Sequence, residues 1–200
     1  MDWELQTIVQ ETEHPFLNFF TFEYAVGQDG TKQAYRYYVA SRNAIDSLLA
    51  KTRDTGRADG VIIAAVKEEE AGHSVLLIEQ YRPALNARVI EMPAGLVEKG
   101  EEGFLSSAKR EALEEAGATL SEVETLCPPS PTSCGLSDEM VAVVIGKVSG
   151  VSQRHLERFE DISARFVPLK DVPTLLEDKS RLIALNVRLA LLYLLEKYGA

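Results

Sequence analysis

Between Glu91 and Ala118 the chain reads EMPAGLVEKGEEGFLSSAKREALEEAGA, a glycine-bearing loop followed by a run of good helix formers. At about 100° per residue, Glu111, Glu114 and Glu115 fall within an arc of about 100° on one helix face. Leu105, Ala108, Ala112 and Ala116 fall on an adjoining face suited to packing on a core. Gly117 follows the last turn, where φ > 0 is often needed. One face must therefore be buried while the next carries three carboxylates that repel one another. Two resolutions exist. Either the face is simply solvated, or its charge is balanced by a hard divalent cation such as Mg²⁺, which takes oxygen ligands.

The flanking segments set the fold class. FLNFFTFEYAV (16–26) and QAYRYYVAS are strand-like and joined through an Asp-Gly turn signal, which predicts a β-hairpin. Residues 43–52 suit a short helix. VIIAAVK and HSVLLIEQYR are nearly continuous in apolar character and predict central, buried strands, with ARVIEMPAG a strand leading into the loop. Beyond the helix, LSEVETLCPP, MVAVVIGKV and ARFVPLK read as strands, and SPTSCGLSDE and VSGVSQRHLERFEDIS as irregular. Asp171 is a candidate N-cap for a short helix with Pro173 in its first turn. The terminal stretch 180–198 reads as the clearest helix, with Leu182, Leu185, Val187, Leu189, Leu192, Tyr193 and Leu195 as its apolar face. Strands, one helix, strands and a terminal helix imply an α/β fold, a mixed sheet with helices on its faces in an α/β/α sandwich. The hairpin is an addition to that core, so the expected division is 1–42 and 43–200.

A formal net charge of −10 argues against a nucleic-acid backbone or an anionic membrane as the main partner. It leaves small anionic substrates open, because a bound cation reverses the local field. No apolar run approaches the roughly 18 residues of a transmembrane helix. The N-terminal stretch MDWELQTIVQETEH is acidic and lacks a signal peptide's basic and apolar regions, so a cytoplasmic location is the expectation. Cys127 and Cys134 have no histidine beside them to complete a zinc site and are expected to be free thiols.

REALEEAG, with Gly95 and an acidic loop before it, resembles the Nudix box, the loop–helix–loop signature of the Nudix hydrolases. EQYRPALNARVIEMPAGLVEKGE, the hairpin FLNFFTFEYAV…YRYYVASR and FEDISARFVPL resemble the ADP-ribose pyrophosphatases of that family, and together these segments cover most of the chain. The resemblance implies Mg²⁺ as cofactor, with Mn²⁺ an alternative. It implies metal ligation by Glu111 and Glu115, with Glu114 as the intervening ligand or water-mediated partner. Arg110 would orient these carboxylates, and the Ala94 carbonyl would reach the metal where Gly95 lets the backbone turn. The family spacing is departed from in the loop. Counting back from Arg110 gives Glu102 and counting forward from Gly95 gives Glu101, so either serves, and the more rigid helix favours Glu102.

Outside the box, the resemblance implies that Glu139 in SCGLSDE acts as catalytic base or water-orienting carboxylate, with Asp138 its competitor and a plain strand-edge acid the alternative. Arg82 would contact the substrate's phosphates, as a guanidinium can grip two oxygens, or else form a surface ion pair. Phe16 resembles an aromatic that stacks on adenine, a core or dimer-interface role being the alternative. Arg36 is a further substrate-binding candidate. The three histidines, His14, His73 and His155, receive no role. The implied function is metal-dependent hydrolysis of the pyrophosphate bond of a nucleoside diphosphate sugar, ADP-ribose to AMP and ribose 5-phosphate. The alternatives are GDP-mannose, a UDP-sugar or a dinucleoside polyphosphate as substrate, or a non-catalytic nucleotide-binding protein. A homodimer built through the hairpin is also implied.

Overall fold

In NFFTFEY every second residue is a bulky aromatic, and that period builds the first of two sheets. The computed structural model describes residues 1–28, 30–98, 103–156 and 161–199. They group in two compact units, Met1–Asp59 with Pro129–Val141, and Gly60–Pro128 with Ala142–Ala200. The first unit holds an antiparallel sheet of β1 (Asp2–Gln10), β2 (Asn18–Gln28) and β3 (Thr31–Ser41), in that order. Phe20 faces Val39 and Phe22 faces Tyr37 across the β2–β3 ladder. Phe20, Phe22, Val39 and Leu48 form the buried cluster, with Leu5 and Ile8 packed against it.

The expected hairpin is thus extended by β1, which the sequence pattern conceals. Leu5 and Ile8 are an odd number of residues apart, so strict alternation would send them to opposite faces. The β1–β2 register shifts between Leu5 and Thr7, and this irregularity lets both side chains reach the same cluster. Segment 43–52 forms a 3₁₀ turn (Ile45–Ser47) and the short α1 (Leu49–Thr52). Asp138 tethers this region: its carboxylate accepts the Ser41 hydroxyl at 2.5 Å and the Leu49 amide, at the start of α1, at 2.9 Å.

The second sheet contains β4 (Gly60–Glu69), β5 (Gly72–Arg82), β6 (Ala87–Glu91), β7 (Ala94–Leu96), β8 (Ala118–Pro131), β9 (Met140–Val151), β10 (Ile162–Pro168) and β11 (Leu182–Ile183). The ends of β8 and β9, with the loop between them, belong to the first unit. The sheet order is β11-β6-β5-β4-β9-β8, with β10 on β5 and β7 on β4. It is mixed: β11 runs parallel to β6, while β5 is antiparallel to β4, β6 and β10. Gly60–Val66 is buried without a break, as expected for a strand covered on both faces.

The sheet forks. β5 pairs with β4 over Gly72–Val75 and with β6 over Ile78–Arg82, while β4 pairs with β7 over Gly60–Ile62. Met92 and Pro93 cross between the two branches. Met92 is buried, and the Pro93 carbonyl accepts the Ile63 amide at 2.9 Å. The loop from Ala94 onward therefore starts inside the sheet.

Helix α2 (Phe104–Ala116) packs on β4, β7 and β10 and ends at Gly117, whose φ of 68° is the left-handed cap anticipated from the sequence. Its buried residues are Ser107, Ala108, Ala112, Glu115 and Ala116. Leu105, expected on this face, is half-exposed. The buried stripe centres near Ala108 and Glu115, about 60–80° round the helix from Leu105.

The C-terminal region also departs from expectation. Helix α3 (Val172–Glu177) follows a 3₁₀ turn, with Asp171 at its N-cap position but making no side-chain cap bond. The last helix, α4, is shorter than expected, Leu185–Tyr198, because Leu182–Ile183 joins β6 as β11. Its buried stripe is Val187, Ala190, Leu191 and Leu194. Of the expected apolar face only Val187 is buried, and Leu185, Leu189 and Leu192 are 74%, 60% and 55% exposed. The helix is apolar nearly all round, so periodicity alone does not choose which stripe packs. Both cysteines are free. Among the described residues no helix is long and apolar enough to cross a membrane.

Phe20 is fully buried, and Phe20→Ala is expected to cost about 3–5 kcal/mol by removing a core ring. Leu189→Ala, at a site 60% exposed, is expected to stay within about 0.5 kcal/mol of the parent. Urea unfolding of both variants checks this; equal losses would contradict the packing described.

Candidate active site

Loop β6–β7 and helix α2 come together so that two carboxylates converge on one peptide. Glu115, only 5% exposed, accepts the Ala94 amide on its Oε2 at 3.0 Å. Glu111 lies against the next residue. A Cβ placed on Gly95 would overlap the Cγ, Cδ and Oε1 of Glu111. This revises the reason for the glycine. Among the described residues the glycines with positive φ are Gly30, Gly72, Gly103 and Gly117, and Gly95 is not one of them. Its backbone needs no special turn there; the side chain has to be absent so that a carboxylate can lie over the loop.

Arg110 sits between the acids. Its Nη1 is 2.8 Å from Glu111 Oε1 and 2.9 Å from Glu114 Oε2, and its Nη2 donates to the Leu96 carbonyl at 3.3 Å. One guanidinium thus links two helix carboxylates to the loop, in the fork geometry that arginine provides. These groups line a cavity of about 370 Å³ together with Gln80, Arg82 and His155. Arg82, at the end of β5, is held by Glu91 of β6 through Nε at 3.0 Å and Nη2 at 2.6 Å.

His155 is among the lining residues to which the sequence assigns no role. Its amide donates to the Glu114 carbonyl at 2.9 Å, and the Ser152 amide donates to the Gly117 carbonyl at 2.8 Å. The segment after β9 therefore seals the C-terminal end of α2, where helical carbonyls lack partners of their own. No local signal marks His155, because its place depends on a partner far away in sequence. Further along, Asp161 accepts from Arg88 at 2.6 and 3.2 Å, and the guanidinium holds its carboxyl below the usual aspartate range.

The oxygen donors fit a hard divalent cation. Glu111 and Glu115 meet at Ala94–Gly95, and no cysteine or methionine among the described residues lines the cavity. Among the described residues no three His, Cys, Asp or Glu side chains are close enough together to hold a metal ion. Glu101 and Glu102, the alternatives for the loop ligand, lie outside the described residues.

The remaining candidates belong to the first unit. Glu139 accepts the Thr132 hydroxyl at 2.9 Å and is 3.6 Å from Arg42. Both oxygens of its neighbour Asp138 are engaged with Ser41 and Leu49, a tether inside the unit. Arg36 pairs with Glu23 at 3.0 Å and lines a cavity with Tyr24 and Tyr35. Phe16 is 78% exposed, which excludes a core role within the chain.

A family model described as the NUDIX domain matches residues 56–185. The chain is 30% identical to an ADP-ribose pyrophosphatase of Bacillus subtilis over 132 residues, covering 65% of this chain and 69% of that protein. It is 39% identical to an ADP-ribose pyrophosphatase of Saccharomyces cerevisiae over 74 residues, covering 36% of this chain and 32% of that protein. The crystal structure of an ADP compounds hydrolase superposes with a TM-score of 0.63 over 90% of this chain and 85% of that one, at 15% identity, a likeness of fold.

Gly95→Ala is expected to destabilise the protein by about 1–3 kcal/mol, because its methyl displaces Glu111. Adding Glu111→Ala removes the obstacle, so the double variant should recover most of that loss. Denaturant titration of the four proteins checks the coupling; purely additive losses would show that the two residues do not meet.

Proposed function

The chain belongs to the Nudix family and is a hydrolase of its pyrophosphatase kind, and we propose that it cleaves the pyrophosphate bond of a nucleoside diphosphate sugar, ADP-ribose first, using a divalent cation, Mg²⁺ or Mn²⁺. The observation that carries this reading is the convergence of Glu111 and Glu115 on Ala94–Gly95, in one cavity with Arg82 and Arg110. The names of the bacterial and yeast relatives support ADP-ribose over GDP-mannose, UDP-sugars and dinucleoside polyphosphates.

In the proposed reaction water adds to one phosphorus and the P–O bond of the anhydride breaks, giving AMP and ribose 5-phosphate. Glu111, Glu115 and the Ala94 carbonyl would hold the cation, with Glu114 and Glu102 as further ligands. When bound, the cation offsets the anhydride's negative charge and polarises phosphorus. Arg110 keeps Glu111 and Glu114 oriented through its two contacts. Arg82 faces the charge that builds on the phosphoryl oxygens, and a guanidinium remains protonated throughout. Glu139 is assigned to the attacking water, whose proton it accepts. Its neighbour Asp138 is committed to structural hydrogen bonds and is the weaker candidate. Phe16 and Arg36 are assigned to the nucleoside.

We further propose that residues 1–42 serve a homodimer. Trp3 and Tyr38 remain 55% and 63% exposed, large aromatic surface that a second copy of the chain would cover.

Turnover of ADP-ribose with Mg²⁺, read as the AMP and ribose 5-phosphate formed, tests the function. Glu115→Gln and Glu139→Gln are each expected to lose at least about 100-fold in kcat, and a chelator should abolish activity. Wild-type rates in Glu115→Gln would sink the ligand assignment. A second experiment addresses assembly: deletion of residues 1–40 should give monomer or insoluble protein on size-exclusion chromatography, and a soluble, active dimer would refute the interface.

A further inference from the structure

Arg82 enters the cavity already committed on one side. Glu91 takes its Nε at 3.0 and 3.1 Å and its Nη2 at 2.6 Å. The pair spans the β5–β6 ladder diagonally, since Arg82 lies opposite Ala87 and Glu91 opposite Ile78. Glu91 is the better buried partner, its side chain 16% exposed against 44% for Arg82. The anchor is therefore the carboxylate and the arm the arginine. Gln80, on the same face of β5 as Arg82, also lines the cavity, and Glu91 does not.

We propose that Glu91 is a positioning residue that aims Arg82 at the phosphoryl group being cleaved. A free arginine side chain has several rotatable bonds and samples many rotamers, and a stabiliser of developing charge works only if it is fixed beforehand. Glu91 grips the Nε–Nη2 edge of the fork. Nη1 takes part in no hydrogen bond among the described residues, so it is left with both protons for substrate oxygens. Strand pairing holds Glu91 itself in place, two residues before the crossing of the fork at Pro93. The same element thus orients the arginine and leads into the Ala94–Gly95 peptide on which Glu111 and Glu115 converge.

Two effects of removing the carboxylate oppose each other, and their separation is the test. Loss of its negative charge favours binding of an anionic substrate, which lowers KM. Loss of its aim weakens transition-state stabilisation, which lowers kcat. A surface ion pair with no role in the reaction would show the first effect alone.

This inference rests on the proposed hydrolysis of a nucleoside diphosphate sugar. The experiment is a double-mutant cycle of Glu91→Gln and Arg82→Ala, read by steady-state kinetics on ADP-ribose with Mg²⁺, with melting temperatures recorded for each protein. Glu91→Gln is expected to reduce kcat about ten-fold with KM unchanged or lower. Arg82→Ala is expected to lose about 100-fold in kcat/KM. Adding Glu91→Gln to Arg82→Ala should bring no further loss in kcat, because the carboxylate then has no arginine to aim, while the lower KM from the lost charge persists. Glu91→Asp retains the charge at a shorter reach, is expected to lie between wild type and Glu91→Gln in kcat, and stands in if Glu91→Gln does not fold. An unchanged or raised kcat in Glu91→Gln, or the same loss in the Arg82→Ala background, would overturn the assignment. A wild type that turns over none of ADP-ribose, GDP-mannose, UDP-sugars or dinucleoside polyphosphates would refute the functional reading itself and this inference with it. Turnover with an additive cycle refutes only the role of Glu91.

Discussion

A missing side chain at Gly95 is the condition on which the site depends. Glu111 lies where a Cβ would be, and Glu115 accepts the amide of the residue before. Packing two carboxylates against one peptide raises electrostatic energy unless cations and amide dipoles offset it. Arg110 supplies one offset by touching Glu111 and Glu114 and reaching the Leu96 carbonyl. The helix, the loop and the arginine thus form one interlocked unit.

The fork in the second sheet puts this unit where it is. β5 exchanges β4 for β6 along one edge, and the chain crosses the gap at Met92–Pro93 to pair β7 with β4. Loop residues are thereby anchored on buried strands, and the carboxylates of α2 meet a rigid backbone. The small residues Ser107, Ala108 and Ala112 let the helix approach closely enough for Glu115 to reach Ala94. Arg82 and Glu91 sit on the other branch of the fork. The cavity therefore joins carboxylates from a helix with an arginine from a strand.

Much of this was legible along the chain because it rests on local periodicity. The Glu111–Glu114–Glu115 face, the glycine cap at Gly117 and the buried strands around Ile63 and Leu77 follow from short-range pattern and geometry. Other features were hidden for physical reasons. β1 is hidden because its irregularity after Leu5 breaks the alternation by which strands are read. In α4 leucines surround the helix, so the sequence does not choose the packed stripe and the neighbouring elements do. His155 gave no sign, since a backbone bond to Glu114 places it.

The sequence by itself determined the family, the α/β class and the identity of the carboxylate helix, because each depends on spacing within a few turns or strands. Only the tertiary structure decided why Gly95 is a glycine, which acid is spent on tethering at Asp138, and that Arg82 is held by Glu91. Those outcomes depend on which atoms meet across strands and helices distant in sequence. Periodicity places a side chain on a face, whereas the packing of whole elements decides what that face touches.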